Sequence, residues 1–130
     1  MKRSPRIDLW AAPLLLALFA TCLLGCGVTK SEFVPSGGYM PRPPSVEVLI
    51  YFEGAPPDQP YEVVGMVYAE KEANTGSRWD VVKAETVIGL LKAKAQAIGA
   101  EAIIDVRVTT VTDRDRDYKK GEAKAIIFRR

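Results

Sequence analysis

The 130-residue chain contains no histidine and only two cysteines, Cys22 and Cys26. Without histidine it lacks the side chain that most often serves as general base near neutral pH and as transition-metal ligand. Histidine-assisted serine or cysteine nucleophiles are thereby excluded, and Ser31, Ser36, Ser45 and Ser77 stand in no Gly-x-Ser-x-Gly setting. An excess of one charge is missing as well. Of 18 Lys and Arg and 16 Asp and Glu, three basic residues and one acidic residue precede Cys26, so 15 of each remain after it. A nucleic-acid surface needs clustered basic residues to neutralise phosphates, and beyond the pairs Lys119-Lys120 and Arg129-Arg130 there is no such cluster. The expectation is a chain with no catalytic residue, no metal ligand, no cofactor and no nucleic-acid partner.

What is present begins at the amino terminus. Lys2, Arg3 and Arg6 precede an uncharged run over residues 9–29, which is the layout of a secretory signal. The basic residues stay in water because moving them into lipid is costly, whereas Leu and Phe enter readily. The run is 21 residues long, which is also enough to span a bilayer. Within it, Leu23-Leu24-Gly25-Cys26 resembles the lipobox of bacterial lipoproteins. The resemblance implies that the Cys26 thiol receives a diacylglyceryl group and that the chain is cut between Gly25 and Cys26, discarding residues 1–25 and Cys22 with them. One acyl chain, such as palmitate, holds a protein marginally at about 0.8 kcal/mol per buried methylene, while two or three hold it durably. Gly27, rather than Asp, after the cysteine implies an outer-membrane anchor with the domain in the periplasm if the host has two membranes. In a host with one, it implies a lipid anchor on the cell membrane. With Cys26 acylated, no cysteine remains for an intramolecular disulfide.

Residues 26–45 read as a tether after the lipidated cysteine, because residues 27–45 hold four Pro, three Gly and three Ser without strand or helix periodicity. As a flexible coil those 19 residues would span about 24 Å. Residues 46–130 then form one small domain. "VEVLIYFE" (46–53) and "YEVVGMVYAE" (61–70) are β-rich, and "GAPPDQP" between them predicts a hairpin turn. A helix is expected from Ser77, as N-cap with Asp80 three residues on, to Ile98, with Gly99 as its stop. "EAIIDVRVTTVT" (101–112) alternates as a half-buried strand, and "EAKAIIFRR" (122–130) closes the sheet. The predicted fold class is α+β, a two-layer domain of β-β-α-β-β order with one helix on a mostly antiparallel four-stranded sheet.

That order, with "YEVVGMV" on the second strand and "AQAIGAEAIIDVRV" across the helix end and third strand, resembles two related small families. One is the YbjQ-like group, labelled as heavy-metal-binding; the other is the outer-membrane lipoprotein sensor of the Rcs envelope-stress system. The resemblance implies their common fold, a stress-sensing or metal-carrying role as functional options, and self-association of the ring-like kind known in the YbjQ-like group.

"DRDRDYKKG" (113–121) places Asp113, Asp115 and Asp117 as a calcium loop would begin, but Tyr118 and Lys124 occupy its sixth and twelfth positions, where Gly and Glu are required. A solvated hairpin loop is the expectation there. On the helix, Val81, Ala84, Ile88, Leu91, Ala95 and Ile98 form an apolar stripe for the sheet. A second uncharged stripe, Trp79, Val82, Thr86, Gly89, Leu90, Ala93 and Ala97, covers another side. Small residues there permit close backbone approach, although Gly89 costs about 1 kcal/mol relative to Ala. The stripe is therefore a candidate protein interface. Alternation also divides the sheet. Val46, Val48, Ile50, Val63, Val67, Ile104, Val106 and Ile127 are expected to face the helix, and Leu49, Tyr51, Val64, Met66, Tyr68, Ile126 and Phe128 to face away. Met66, Tyr68 and Phe128 make that outward face a second candidate interface. The combined expectation is a non-enzymatic, lipid-anchored envelope protein that binds a second copy or an envelope protein partner. A stress-sensing lipoprotein and a small-ligand or metal carrier are the alternatives.

Overall fold

The computed structural model describes residues 29–72, 82–113 and 116–130. Its elements are β1 (Thr29–Pro35), β2 (Leu49–Phe52), β3 (Tyr61–Glu72), α1 (Ala84–Ala97), β4 (Ala102–Asp113) and β5 (Arg116–Phe128). Among the described residues the class is α+β with one helix, as expected. The sheet, however, is five-stranded and mixed, in the order β1-β3-β5-β4-β2, where a mostly antiparallel four-stranded sheet was expected.

The additional strand, β1, lies inside the segment expected to be a tether. Thr29, Lys30, Ser31 and Glu32 are all exposed, so no apolar alternation announces the strand. An edge strand needs little burial, since its ladder to one neighbour and one anchoring side chain suffice. Here the anchor is Phe33, half-buried and set edge-to-face on Tyr39 with ring centroids 5.0 Å apart.

The expected hairpin between the first two predicted strands is absent. β2 pairs in parallel with β4 at the far edge, whereas β3 lies between β1 and β5. The segment between β1 and β2 explains this, because it is pinned under the C-terminal end of the helix. Ser45 donates from its amide to the Gln96 carbonyl (3.0 Å) and from Oγ to the Ala100 carbonyl (2.7 Å). The Tyr39 hydroxyl donates to the Ile98 carbonyl (3.3 Å), and Gln96 Nε2 donates back to the Val46 carbonyl (3.2 Å). β2 emerges from that clamp beside Ala102.

The helix is shorter than expected. Lys83 is extended (φ −80°, ψ 145°) and caps the helix without a side-chain hydrogen bond. The expected cap Ser77, with Trp79, Asp80 and Val81, lies outside the described residues. The stop at Gly99 is as expected: at φ +78° it is a left-handed glycine, with its amide bonded to the Gln96 carbonyl and the Ala100 amide to the Ala95 carbonyl, a Schellman ending. A Cβ at position 99 would also stand 2.5 Å from the Pro43 carbonyl, so glycine admits the clamping segment as well.

Between helix and sheet, Val87, Leu91 and Ala95 are fully buried against Val67, Ile103, Ala123 and Ala125. Val87, absent from the expected stripe, takes the central place, while Ala84, Ile88 and Ile98 are half-buried. Two β-bulges exchange residues between the sheet's faces. The shift between Val63 and Gly65 buries Val64 and leaves Val63 37% exposed, the reverse of expectation. The shift between Ile104 and Arg107, built on a left-handed Asp105 (φ +52°), sends Ile103 to the helix and Ile104 to the other face. Val46, expected inside, is 96% exposed.

The expected loop over residues 113–121 is also corrected. β5 begins at Arg116, and Tyr118 to Gly121 pair on both sides with β3 and β4. Gly121 belongs there for a packing reason, because a Cβ on it would come within 2.5 Å of Val87 Cγ1.

Candidate interaction surfaces

The expected site residues fall into three separate places. Gly25, Cys26 and Trp79 lie outside the described residues. On the helix, Thr86, Gly89, Ala93 and Ala97 are exposed, and a Cβ added at Gly89 would meet nothing within 4 Å. Val82 and Leu90, by contrast, are half-buried and pack against the main core. The second stripe therefore shrinks to a narrow band of small residues.

Met66, Tyr68 and Phe128 do lie on the sheet face turned away from the helix, but in different surroundings. Phe128, with Tyr51 and Tyr61, closes a small cluster over the buried Ala102, Ile104 and Ile126. Ile126 was expected to look outward, and it does so while fully buried beneath these rings. Tyr68 is 37% exposed and stands among charges. Sheet and helix candidates thus sit on opposite sides of the molecule and form no single site.

The charged part of the outer face escaped pattern reading, since its members come from four strands. Register aligns Glu32, Tyr68, Glu122 and Arg107 in one cross-strand row, and Lys30, Glu70, Lys120 and Thr109 in the next. Three of the facing pairs, Arg107 with Glu122, Lys30 with Glu70 and Glu70 with Lys120, are of opposite sign, which is the favourable cross-strand arrangement. Arg107 also grips Glu53 at the end of β2 with two hydrogen bonds (Nη2 to Oε1, 2.5 Å; Nε to Oε2, 3.3 Å) and reaches Glu122 at 4.0 Å. Asp105, turned by its bulge, holds Lys124 at 3.0 Å. The hydrogen bonds that Arg107 donates to Glu53, then the charge of Glu53, raise the Arg107 pKa above its ordinary value. Because these side chains are exposed, solvent screens the pairing and it contributes little to stability.

The rows border a concavity of about 560 Å³ with Tyr68 near its middle and Lys30, Glu70, Arg107 and Lys120 around it. Its chemistry is that of a solvated ionic surface. Among the described residues no polar or charged side chain is buried, and no group of three or more Cys, Asp or Glu side chains is placed to hold a metal ion. Also among them, no helix is long and apolar enough to cross a membrane.

A different grouping appears on the helix-side face at the end of the sheet where β1 begins. Thr29, Lys71, Lys119 and Thr110 stand in one row, with Lys71 donating to Thr29 Oγ1 and Lys119 to Thr110 Oγ1, each at 2.9 Å. The sequence signal for this row, two lysines on separate strands, becomes visible only when register is known. No family model matches the chain, and neither a curated protein nor a solved structure is significantly similar to it.

Proposed function

We propose that the chain is a lipid-anchored cell-envelope protein that works by binding a second copy or a protein partner, without catalysis of its own. Cys26 carries the anchor, and the domain faces the periplasm from the outer membrane where the host has two membranes. The observation supporting this reading is the lipobox-like Leu23-Leu24-Gly25-Cys26 placed directly before a folded sheet. Only Gly27 and Val28 separate Cys26 from Thr29, the first residue of β1, and three residue steps reach about 11 Å at most. The domain therefore rides close to the headgroups, in place of the 24 Å estimated for a free tether. The Lys71 and Lys119 row lies at that same end of the sheet, where cationic side chains are favourable beside anionic lipid.

Radiolabelled palmitate given to growing bacteria is expected to enter the native protein, and Cys26→Ser is expected to abolish both the label and the membrane fractionation. A native protein without label defeats the anchor reading. Stress sensing is the second reading, favoured by Tyr68 standing exposed inside the charged concavity. It predicts that Tyr68→Ser alters envelope signalling at unchanged protein level. The small-ligand or metal carrier predicts a bound species in native mass spectra of protein isolated from its own host.

A further inference from the structure

We infer that β1 is a self-pairing edge, so that two copies of this chain join antiparallel along it, about a twofold axis at Ser31, and continue the sheet from one molecule into the next. The inference deepens the binding reading by naming the partner and the surface, and it does not depend on the lipid.

The argument starts from the phase of the ladder. The Ser36 amide donates to the Val64 carbonyl at 2.9 Å. Antiparallel pairs alternate between hydrogen-bonded and non-hydrogen-bonded positions, so Val34, Glu32 and Lys30 turn their amides and carbonyls toward β3. Among the described residues no strand pairs with the other side of β1, so Thr29, Ser31 and Phe33 present theirs at an open edge. Pro35, which has no N–H, falls on the outward phase, where β3 asks nothing of it. The β1–β3 ladder runs from Thr29 to Pro35 without a bulge, so the open edge is regular and offers what an added strand needs.

The side chains select the occupant. With Ser31 opposite its own copy, Thr29 faces Phe33 and all outward amides and carbonyls meet partners. Lys30 then lies directly opposite Glu32 of the other copy, and by symmetry Glu32 opposite Lys30, on the outer face where both are exposed. Neighbouring registers fail. Centring on Lys30 or Glu32 sets each against its own charge, which is unfavourable, and centring on Phe33 brings Pro35 opposite Ser31 with a missing donor. The other sheet edge, β2, has four residues and an irregular ladder. Self-complementary patches of this kind are what a closed twofold dimer requires.

The test uses the full chain in unfractionated bacterial lysate treated with a mild oxidant, so that it reads the pairing whether or not the chain is anchored. Ser31→Cys is expected to give a disulfide-linked species of twice the monomer mass, well above any produced by the unsubstituted chain. Thr29→Cys gives none, since the two copies of Thr29 would stand about 14 Å apart along the strand direction. In the Ser31→Cys background, Lys30→Glu or Glu32→Lys alone is expected to cut the cross-linked fraction on the order of tenfold, and the two together to restore it. The inference is overturned by a Ser31→Cys yield no greater than that of the unsubstituted chain, by Thr29→Cys cross-linking equally well, by absent rescue in the double reversal, or by an adduct with a different protein. Palmitate labelling decides the anchor separately: a chain that cross-links but takes no label keeps this pairing and loses the lipid.

Discussion

On the helix side of the sheet, Val67, Ile103, Ala123 and Ala125 meet Val87, Leu91 and Ala95, and every member of the cluster is apolar. On the other side, Ile104 and Ile126 are sealed at one end by Tyr51, Tyr61 and Phe128, while the remaining area carries rows of exposed charge. The first face is stabilised by removing apolar surface from water. The second combines a small version of the same effect with ion pairs that remain solvated and contribute little. Stability therefore constrains the helix side closely, while the charged rows are left free to be shaped by whatever meets them.

Mutations can break this comparison or sharpen it. The largest effect is expected for Leu91→Ala, which empties the centre of the helix-side core and should cost about 3–5 kcal/mol in chemical denaturation. Ile126→Ala comes next at about 2–4 kcal/mol, because the side chain is fully buried although it faces away from the helix. A loss below about 0.5 kcal/mol, the size of an ordinary surface substitution, would show that the aromatic cover is not a true second core. Gly121→Ala pushes a methyl group toward Val87 and Leu91 and should destabilise by about 1–3 kcal/mol through overpacking.

Gly89→Ala is expected to act in the opposite direction. Its added methyl meets nothing and the helix gains about 1 kcal/mol of propensity, read as a higher unfolding midpoint. If the small-residue band is an interface needing close approach, the same substitution weakens association while still stabilising the monomer, and sedimentation at several concentrations separates the two. The smallest effects belong to Tyr68→Ser and Arg107→Ala, whose unfolding curves should overlay the native one. A clear loss for either would mean that the charged rows hold the fold together, contrary to the contrast drawn between the faces.

Much of this contrast was legible before the fold was known, but only in part. Tyr68 and Phe128 were placed on the correct face by simple alternation, because β5 carries no extra residue and Tyr68 lies past the bulge of β3. Val64 and Ile104 were misplaced because each adjoins a bulge, and one extra residue turns the following side chains over. Arg107, Glu53 and Glu122 gave no signal, since their meeting depends on which strands are neighbours. β1 was read as tether because its exposed polar residues mimic a linker and its one anchor, Phe33, finds Tyr39 only after the chain turns.

The sequence alone determined what depends on near neighbours: the strand character of β3 and β4 away from their bulges, the glycine stop at Gly99, and the lack of histidine. Tertiary structure decided strand order, the parallel placement of β2, the shortened helix and the charge rows. These rest on pairings between residues as far apart as Thr29 and Lys71 or Leu49 and Ala102. Such pairings form only when the backbone hydrogen bonds and shared burial of distant segments together outweigh the entropy of closing the chain between them.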